Sequence, residues 1–363
     1  MAGRQKSDNI SWATEEFSKI RLEDKRLNQR CKRVAEALEQ QSTEPINQAC
    51  EDWADTKAAY RFFDNPKVSP DQILAPHYQR TVKRMKLHAL VLAVQDTSFL
   101  NYTHHLQTEG VGEIGTKAQN QRGFGMHSTL AVTPQGLSLG LLTQQFFERP
   151  IGAASHTASE TQKLPMEEKE SYRWIEAFEQ VIGLTPEDVQ AVTVCDREAD
   201  FYEMFVTAKE KQADLLVRAN TDRRLGEETK YLWAKVESQR KAGDFTVDIV
   251  GNDKRKARQA IVSVRFCTVK LRPSGRPQKR SCHLSHSPLF GCQKMIHLLT
   301  SRNPLNGCCS PIQPSKTFVK LRKSLRGTVV AGRLRSFTKS SSPVAALKTA
   351  VYKPQCVFKT ISL

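Results

Sequence analysis

Two aspartates stand where metal-dependent phosphoryl chemistry would need them. The apolar run HALVLAVQ, residues 88–95, ends at Asp96, and the run VTVC, residues 192–195, ends at Asp196, which opens DREADFYEMF. A carboxylate at the end of a buried strand is a hard oxygen ligand. Two of them on neighbouring strands can bridge a pair of Mg²⁺ or Mn²⁺ ions about 3.5–4 Å apart. Aspartate in such places also caps strand ends and helix starts, so spacing alone leaves a purely structural role open beside the metal-binding one.

The elements that would have to position these aspartates can be traced along the chain. Residues 10–85 read as helices. WATEEFSKI and KRLNQRCKRVAEALEQQ carry apolar residues three and four apart, and so does DWADTKAAYRFFDN, which stops before Pro66. Lys25, Arg26, Arg30, Lys32, Arg33 and Arg61 gather there. They make either a solvated helix face or a surface that docks on DNA phosphates. HALVLAVQ suits a central strand buried on both faces. RGFGMHSTLAV and LSLGLLTQQFF, joined by TPQG, read as a hairpin. EEKESYRWIEAFEQVIGL is an amphipathic helix closed by Gly183, AVTVC is the next strand, and ADLLVRAN is another. DFTVDIV and AIVSVRFCTVKLR are β-rich. The order strand–Asp96, hairpin, helix, strand–Asp196, helix, strand predicts an α/β fold of RNase-H-like layout, a mixed sheet with helices on its faces. The expected divisions are a helical domain over 1–85, a core over 86–230, a β-rich insertion over 231–281 and a poorly packed tail over 282–363.

Composition narrows the class. The chain has 363 residues, 39% of them hydrophobic, enough for a substantial core. No run of 18 apolar residues occurs and the first residues lack an apolar leader segment, so the reading is a soluble cytoplasmic protein without a membrane span. Nine cysteines without CxxC pairing indicate neither a zinc site nor a disulfide framework. The net charge of +17 is unevenly distributed. Residues 254–363 hold 23 Lys and Arg and no Asp or Glu, whereas residues 1–253 carry a net of −6. An ordinary stretch of that length would hold roughly 13 acidic residues.

QDTSFLNY, RGFGMHSTLAV, GLLTQQFFERP and CDREADFYE, with AAYRFFDNPKVSPDQIL before them, resemble the insertion-sequence DDE transposases of family four. The resemblance covers roughly residues 10–281, with five motifs in the family's order. It implies that Asp96 and Asp196 are the first two carboxylates of a metal triad holding Mg²⁺ or Mn²⁺. By the same resemblance, Arg26, Arg30, Tyr60 and Arg61 fall in segments that contact the transposon end. Gly123, His127, Arg197, Glu198 and Arg218 would line or support the active site, His127 being equally readable as a core residue. The partners implied are terminal-repeat and target DNA, and a second copy of the chain in a family that works as a homodimer; the location implied is the nucleoid. The implied chemistry is hydrolysis of a phosphodiester at the transposon end by a metal-activated water, followed by strand transfer from the freed 3′-hydroxyl.

The family's third ligand is a glutamate in Tyr-x2-Arg-x3-Glu-x6-Lys, and this chain has no glutamate after Glu237. A reading frame displaced by one base supplies the motif. Each hidden codon then ends in the first two bases of the visible residue. GTVVAGRLRSFTKSSS, residues 327–342, becomes WYCCRWQIEEFHKILK, with every spacing of the motif correct. The frame changes near Ser281. Thr328, Ala331, Arg335 and Ser342 occupy the slots for Tyr, Arg, Glu and Lys. The expectation is a transposase that has lost its third carboxylate. Two alternatives stay open: a genuine basic DNA-binding extension in place of a shifted tail, and a metal-dependent nuclease or a non-catalytic end-binding remnant in place of a transposase.

Overall fold

The computed structural model describes residues 11–105, 107–149, 160–161, 164–225, 231–249, 256–271, 292–300 and 304–309. Five helices come first: α1 (Trp12–Glu16), α2 (Lys25–Gln40), α3 (Ile46–Ala49), α4 (Trp53–Phe63) and α5 (Pro70–Met85). Their starts are chemically marked. Asp24 caps α2 by accepting from Arg26 N, Asp52 caps α4 by accepting from Asp55 N, and Ser69 with Gln72 forms a capping box ahead of Pro70 in α5. Each side-chain oxygen satisfies an amide that the first helical turn leaves without a partner. Ala13, Phe17, Ile20 and Leu22 pack with Cys31, Ala35, Phe62 and Ile73 in one core, while Val34, Leu38, Ile46, Ala49 and Ala59 form a second.

A mixed sheet follows. Its first part is β1 (Leu90–Asn101), β2 (Gly112–Ile114), β3 (Gln121–Val132), β4 (Ser138–Phe147), β5 (Gln190–Cys195) and β6 (Asp214–Arg218). β3 lies antiparallel between β1 and β4, with β2 continuing the pairing at its start, while β5 and β6 run parallel to β1 on its other side. The hairpin of β3 and β4 closes with Gly136 at φ 95°, and Gly136 N donates to Thr133 O. Helix α6 (Tyr172–Leu184) crosses from β4 to β5, and α7 (Tyr202–Glu210) from β5 to β6. Trp174, Ile175 and Phe178 of α6 pack with Met204 and Phe205 of α7 and with Cys195, Leu215 and Val217 from the strands. Val91 and Ala93 join Met85 and Val181, whereas Leu92 and Val94 join Val192, Val194 and Leu216. The alternation along β1 therefore separates the two faces of the sheet.

The chain is thus mixed α/β, with N-terminal helices before a mixed sheet. Several boundaries differ from the sequence reading. β1 does not stop at Asp96 but continues to Asn101, because β3 pairs with it from Leu92 through Asn101. α6 begins at Tyr172 and contains Gly183, ending against Thr185 and Pro186. The β-rich stretch contains α8 (Leu232–Glu237) and the antiparallel pair β7 (Gly243–Ile249) and β8 (Arg258–Lys270). Two further strands, β9 (Cys292–Thr300) and β10 (Pro304–Cys309), come from the segment read as tail. β9 pairs with β8, and β10 bridges β9 to β6, both antiparallel. Thr328, Ala331, Arg335 and Ser342 lie outside the described residues. Among the described residues no helix is long and apolar enough to cross a membrane.

The N-terminal helices are fastened to the sheet through α5. Glu16 of α1, only 2% exposed, faces both Arg84 (2.8 and 2.9 Å) and His77 Nδ1 (2.7 Å). Leu141 N donates to His77 Nε2 at 2.9 Å, which leaves the ring proton on Nδ1, the nitrogen nearer Glu16. Arg84 Nε also donates to Leu139 O. The contact is close because Gly140 sits opposite. Its φ is +129°, and a Cβ there would come within 2.3 Å of Thr81 Oγ1. Burial alone would raise the Glu16 carboxyl, but hydrogen bonds and charge from Arg84 and His77 hold it at about 2.

Candidate functional site

The register of the parallel strands determines where the two aspartates fall. β1 and β5 pair with a constant offset, Leu90 with Gln190 through Val94 with Val194. Carried two residues on, this brings Asp96 level with Asp196 on strands that lie about 4.8 Å apart. β5 pairs with β6 up to Cys195 and Val217, so Arg218 continues the row. Alternation gives all three the face of Val94, Val194 and Leu216. Asp96, Asp196 and Arg218 are half-buried. Asp96 is opposite Ser128 across the hairpin. Asp196 ends β5 and caps a short 3₁₀ turn, Arg197–Ala199, its Oδ1 accepting from Glu198 N at 2.8 Å.

The residues expected to support this row occupy different places. His127 is fully buried on the opposite face of the sheet, its ring 4.5 Å from that of Trp174. Its Nδ1 lies 2.9 Å from Thr97 Oγ1 and its Nε2 3.4 Å from Gln95 Oε1. Burial, with the charge of Arg173, pushes the imidazole down to about 3, so it is uncharged at neutral pH. It packs beneath the row. Gly123 pairs with Asn101 at the far end of β1, where a Cβ would come within 1.9 Å of Leu100 O; the position demands glycine for close strand approach. Arg197 and Glu198 are exposed on the 3₁₀ turn.

Two clasps escape the sequence reading. The first is Arg173 at the start of α6, with its side chain 11% exposed. Its Nε donates to Thr97 Oγ1 (3.3 Å), next to Asp96, and its Nη2 to Glu198 Oε2 (2.9 Å), two residues after Asp196. Its Nη1 donates to Glu170 O, and the guanidinium lies 4.8 Å from the Phe147 ring centre. One forked cation therefore ties together the neighbours of both aspartates. Glu170 is in turn held bidentately by Arg149 at 2.7 Å. The second clasp is Asp200, which accepts from Asn220 N (2.6 Å), Thr221 N (3.2 Å) and Arg223, and so ties the turn after Asp196 to the loop after Arg218. The signal for Arg173 was a lone cation beside Trp174 on an otherwise apolar helix start; the partners, up to 76 residues away, were not legible.

The N-terminal residues divide as well. Arg26 is exposed and 3.9 Å from Asp24. Arg30 is partly buried and bonded to Asp55 at 2.8 Å, which makes it a strut between α2 and α4. Tyr60 and Arg61 are exposed on α4, together with Trp53 and Lys57, which the sequence reading passed over. These helices fall within residues 9–68, which match the transposase DNA-binding family model, and the match supports a transposase with DNA as its partner.

Proposed function

We propose that the chain is a DDE transposase of the insertion-sequence type with an RNase-H-like core, catalytically incomplete as it stands. The DNA-binding match over residues 9–68 supports the first part. The observation that supports the catalytic assignment is the register of β1 with β5, Leu90 with Gln190 through Val94 with Val194, which carried two residues on sets Asp96 level with Asp196. The sheet order, with a hairpin antiparallel on one side of β1 and two parallel strands on the other, accords with the RNase-H-like layout.

Carboxylate oxygens suit Mg²⁺ or Mn²⁺ in kind. In number they fall short. Among the described residues no group of three or more His, Cys, Asp or Glu side chains is placed to hold a metal ion, and Glu198 is engaged by Arg173. The sequence offers no acidic residue after Asp253. The described residues do not complete a metal pair, so no cleavage step is assigned to this chain. The displaced frame restores a glutamate in the slot of Arg335. The same frame also changes β10. Codons hidden under Asn306-Gly307-Cys308-Cys309 read Glu, Lys or Gln, then Trp or Arg, then Leu, Met or Val, then Leu. A turn-like Asn-Gly thereby gives way to residues that favour a strand.

The chain in hand is therefore a DNA-end-binding protein that does not cut, able to compete with an intact transposase. The test is a one-base correction near codon 281, with both chains assayed on DNA carrying the ends of the encoding element in the presence of Mg²⁺. Expected are binding by both chains and cleavage only by the corrected one, abolished by Asp96→Asn or Asp196→Asn. Cleavage by the uncorrected chain that depends on Asp96 and Asp196 would refute the account of the missing carboxylate.

A further inference from the structure

Beneath the aspartate row, on the side of the sheet that α6 covers, lie polar side chains that an apolar layer does not need. Gln95 and Thr97 flank Asp96 on β1, Cys195 precedes Asp196 on β5, and His127 reaches in from β3. Gln95 is 2% exposed and Cys195 5%. Gln95 Oε1 lies 3.4 Å from His127 Nε2 and accepts from the Cys195 thiol at 3.8 Å. Its Nε2 has no partner among the described residues. A buried amide left half unpaired costs stability, so its presence calls for a reason. The backbone pairing of β1 with β5 runs to Val94 and Val194. Gln95 and Cys195 come next, and then the aspartates. Side-chain contact thus takes over where the pairing ends.

The bonds have a direction set by their ends. Arg173 has donors only, so its Nε gives a proton to Thr97 Oγ1 at 3.3 Å. The Thr97 hydroxyl can then give its own proton to His127 Nδ1, 2.9 Å away. The uncharged imidazole holds one proton, which in this direction sits on Nε2 and faces Gln95 Oε1. Burial pushes the Cys195 thiol up, so it keeps its proton and donates to the same oxygen. Asp196 Oδ1 accepts from Glu198 N, and Glu198 is held by Arg173 at 2.9 Å, which returns the series to its start. The bonds close a ring that passes on both sides of Asp96 and through Asp196.

We propose that Gln95 is a positioning residue for the aspartate row, its amide oxygen clamping β1 to β5 directly beneath Asp96 and Asp196 by holding the His127 imidazole and the Cys195 thiol together. The inference rests on the reading of that row as catalytic.

Two measurements test it, one of them without catalysis. In the full chain, with isotope-labelled histidine nitrogens and His127→Gln to identify the signal, His127 should show by NMR the neutral tautomer protonated at Nε2. Gln95→Met and Thr97→Val should each turn that single form into a mixture of both tautomers. Cys195→Ser, which keeps a donor to the amide, should leave it unchanged. In the frame-corrected chain, Gln95→Met should lower kcat for cleavage of end-bearing DNA about tenfold per folded molecule, with KM unchanged, the scale on which loosened support of a reacting group acts. Cys195→Ala should lower kcat in the same way and Cys195→Ser should restore it, a pair that carries the test if Gln95→Met does not fold. A native His127 protonated at Nδ1 would reverse the ring and overturn the proposal. So would an unchanged kcat in a Gln95→Met chain whose tautomers have mixed. A corrected native chain that cuts nothing would overturn the catalytic reading of the row, and the role of Gln95 with it, while the tautomer would still report the ring.

Discussion

At the scale of single residues, the weight falls on Arg173. A buried guanidinium with planar, fixed donors can hold several acceptors at once, which an ammonium cannot. Here those acceptors are Thr97, Glu170 and Glu198, and through them the backbone around Asp96 and Asp196. Removing the cation leaves Glu198 without its partner, while Thr97 keeps His127 and Glu170 keeps Arg149. Arg173→Ala should therefore lower unfolding stability by roughly 1–2 kcal/mol in urea titrations. Arg173→Lys keeps the charge and loses the fork, and should recover less than half of that. A change below about 0.5 kcal/mol, the size of an ordinary surface substitution, would mean that the clasp does not order the strand ends. The sequence alone could show Asp96 and Asp196, because apolar runs stop abruptly at both. It could not show Arg173 joining them, since that contact exists only once α6 lies across the sheet. His127 was legible in the sequence as either a support or a core residue, and the structure buries it against Trp174.

At the scale of elements, the junction of α1, α5 and β4 couples the DNA-binding helices to the sheet. Glu16 is its electrostatic centre, and its carboxyl lies at about 2 instead of 4.5. A lowered carboxylate contributes stability that is fully present above the unfolded value and is lost as pH falls through the folded one. The window is pH 4.5 down to about 2. A shift of this size corresponds to roughly 3 kcal/mol. Glu16→Gln should be less stable than the native chain by about that amount at neutral pH. The difference should shrink as unfolding is measured at successively lower pH within the window. A gap that stays constant from pH 6 to pH 3 would mean that the charge of Glu16 is not what holds the joint. The elements themselves were largely readable: helical spacing over the first 85 residues, alternation and turn residues in the hairpin. The passage of β1 beyond Asp96 was not. Asp96, Thr97 and Ser98 look like a strand end until β3 is seen to pair with them. The joint was not legible either, for Glu16 and Arg84 are 68 residues apart and Gly140 shows its purpose only under the side chains of α5.

At the scale of the whole molecule, the sheet divides into two parts of different character. β1 to β6 come from residues with ordinary charge balance and buried apolar clusters that interlock with α5, α6 and α7. β9 and β10 come from residues beyond the proposed frame change, where the chain has no acids, yet β10 pairs with β6 and carries the sheet on to β9 and β8. Main-chain pairing does not depend on which residues supply it, so a strand of the right length can occupy the edge of β6 in either frame. What differs is the fit of side chains, and strand propensity is mostly a matter of that fit. The register shift in β10 between Leu305 and Cys308 falls on Asn306-Gly307, a turn-forming pair at the place where the other frame offers Trp or Arg followed by Leu, Met or Val. The shifted chain should therefore open at β9 and β10 more often than the corrected one, because local opening tracks the loss of buried apolar contacts. Digestion with a protease of broad specificity, read by mass spectrometry, should release peptides from β9 and β10 sooner in the uncorrected chain, while α1 to α5 and β1 to β6 persist in both. Equal protection of β9 and β10 in the two chains would show that the visible residues were selected to pack there, and the tail would then have to be read as a genuine part of the protein.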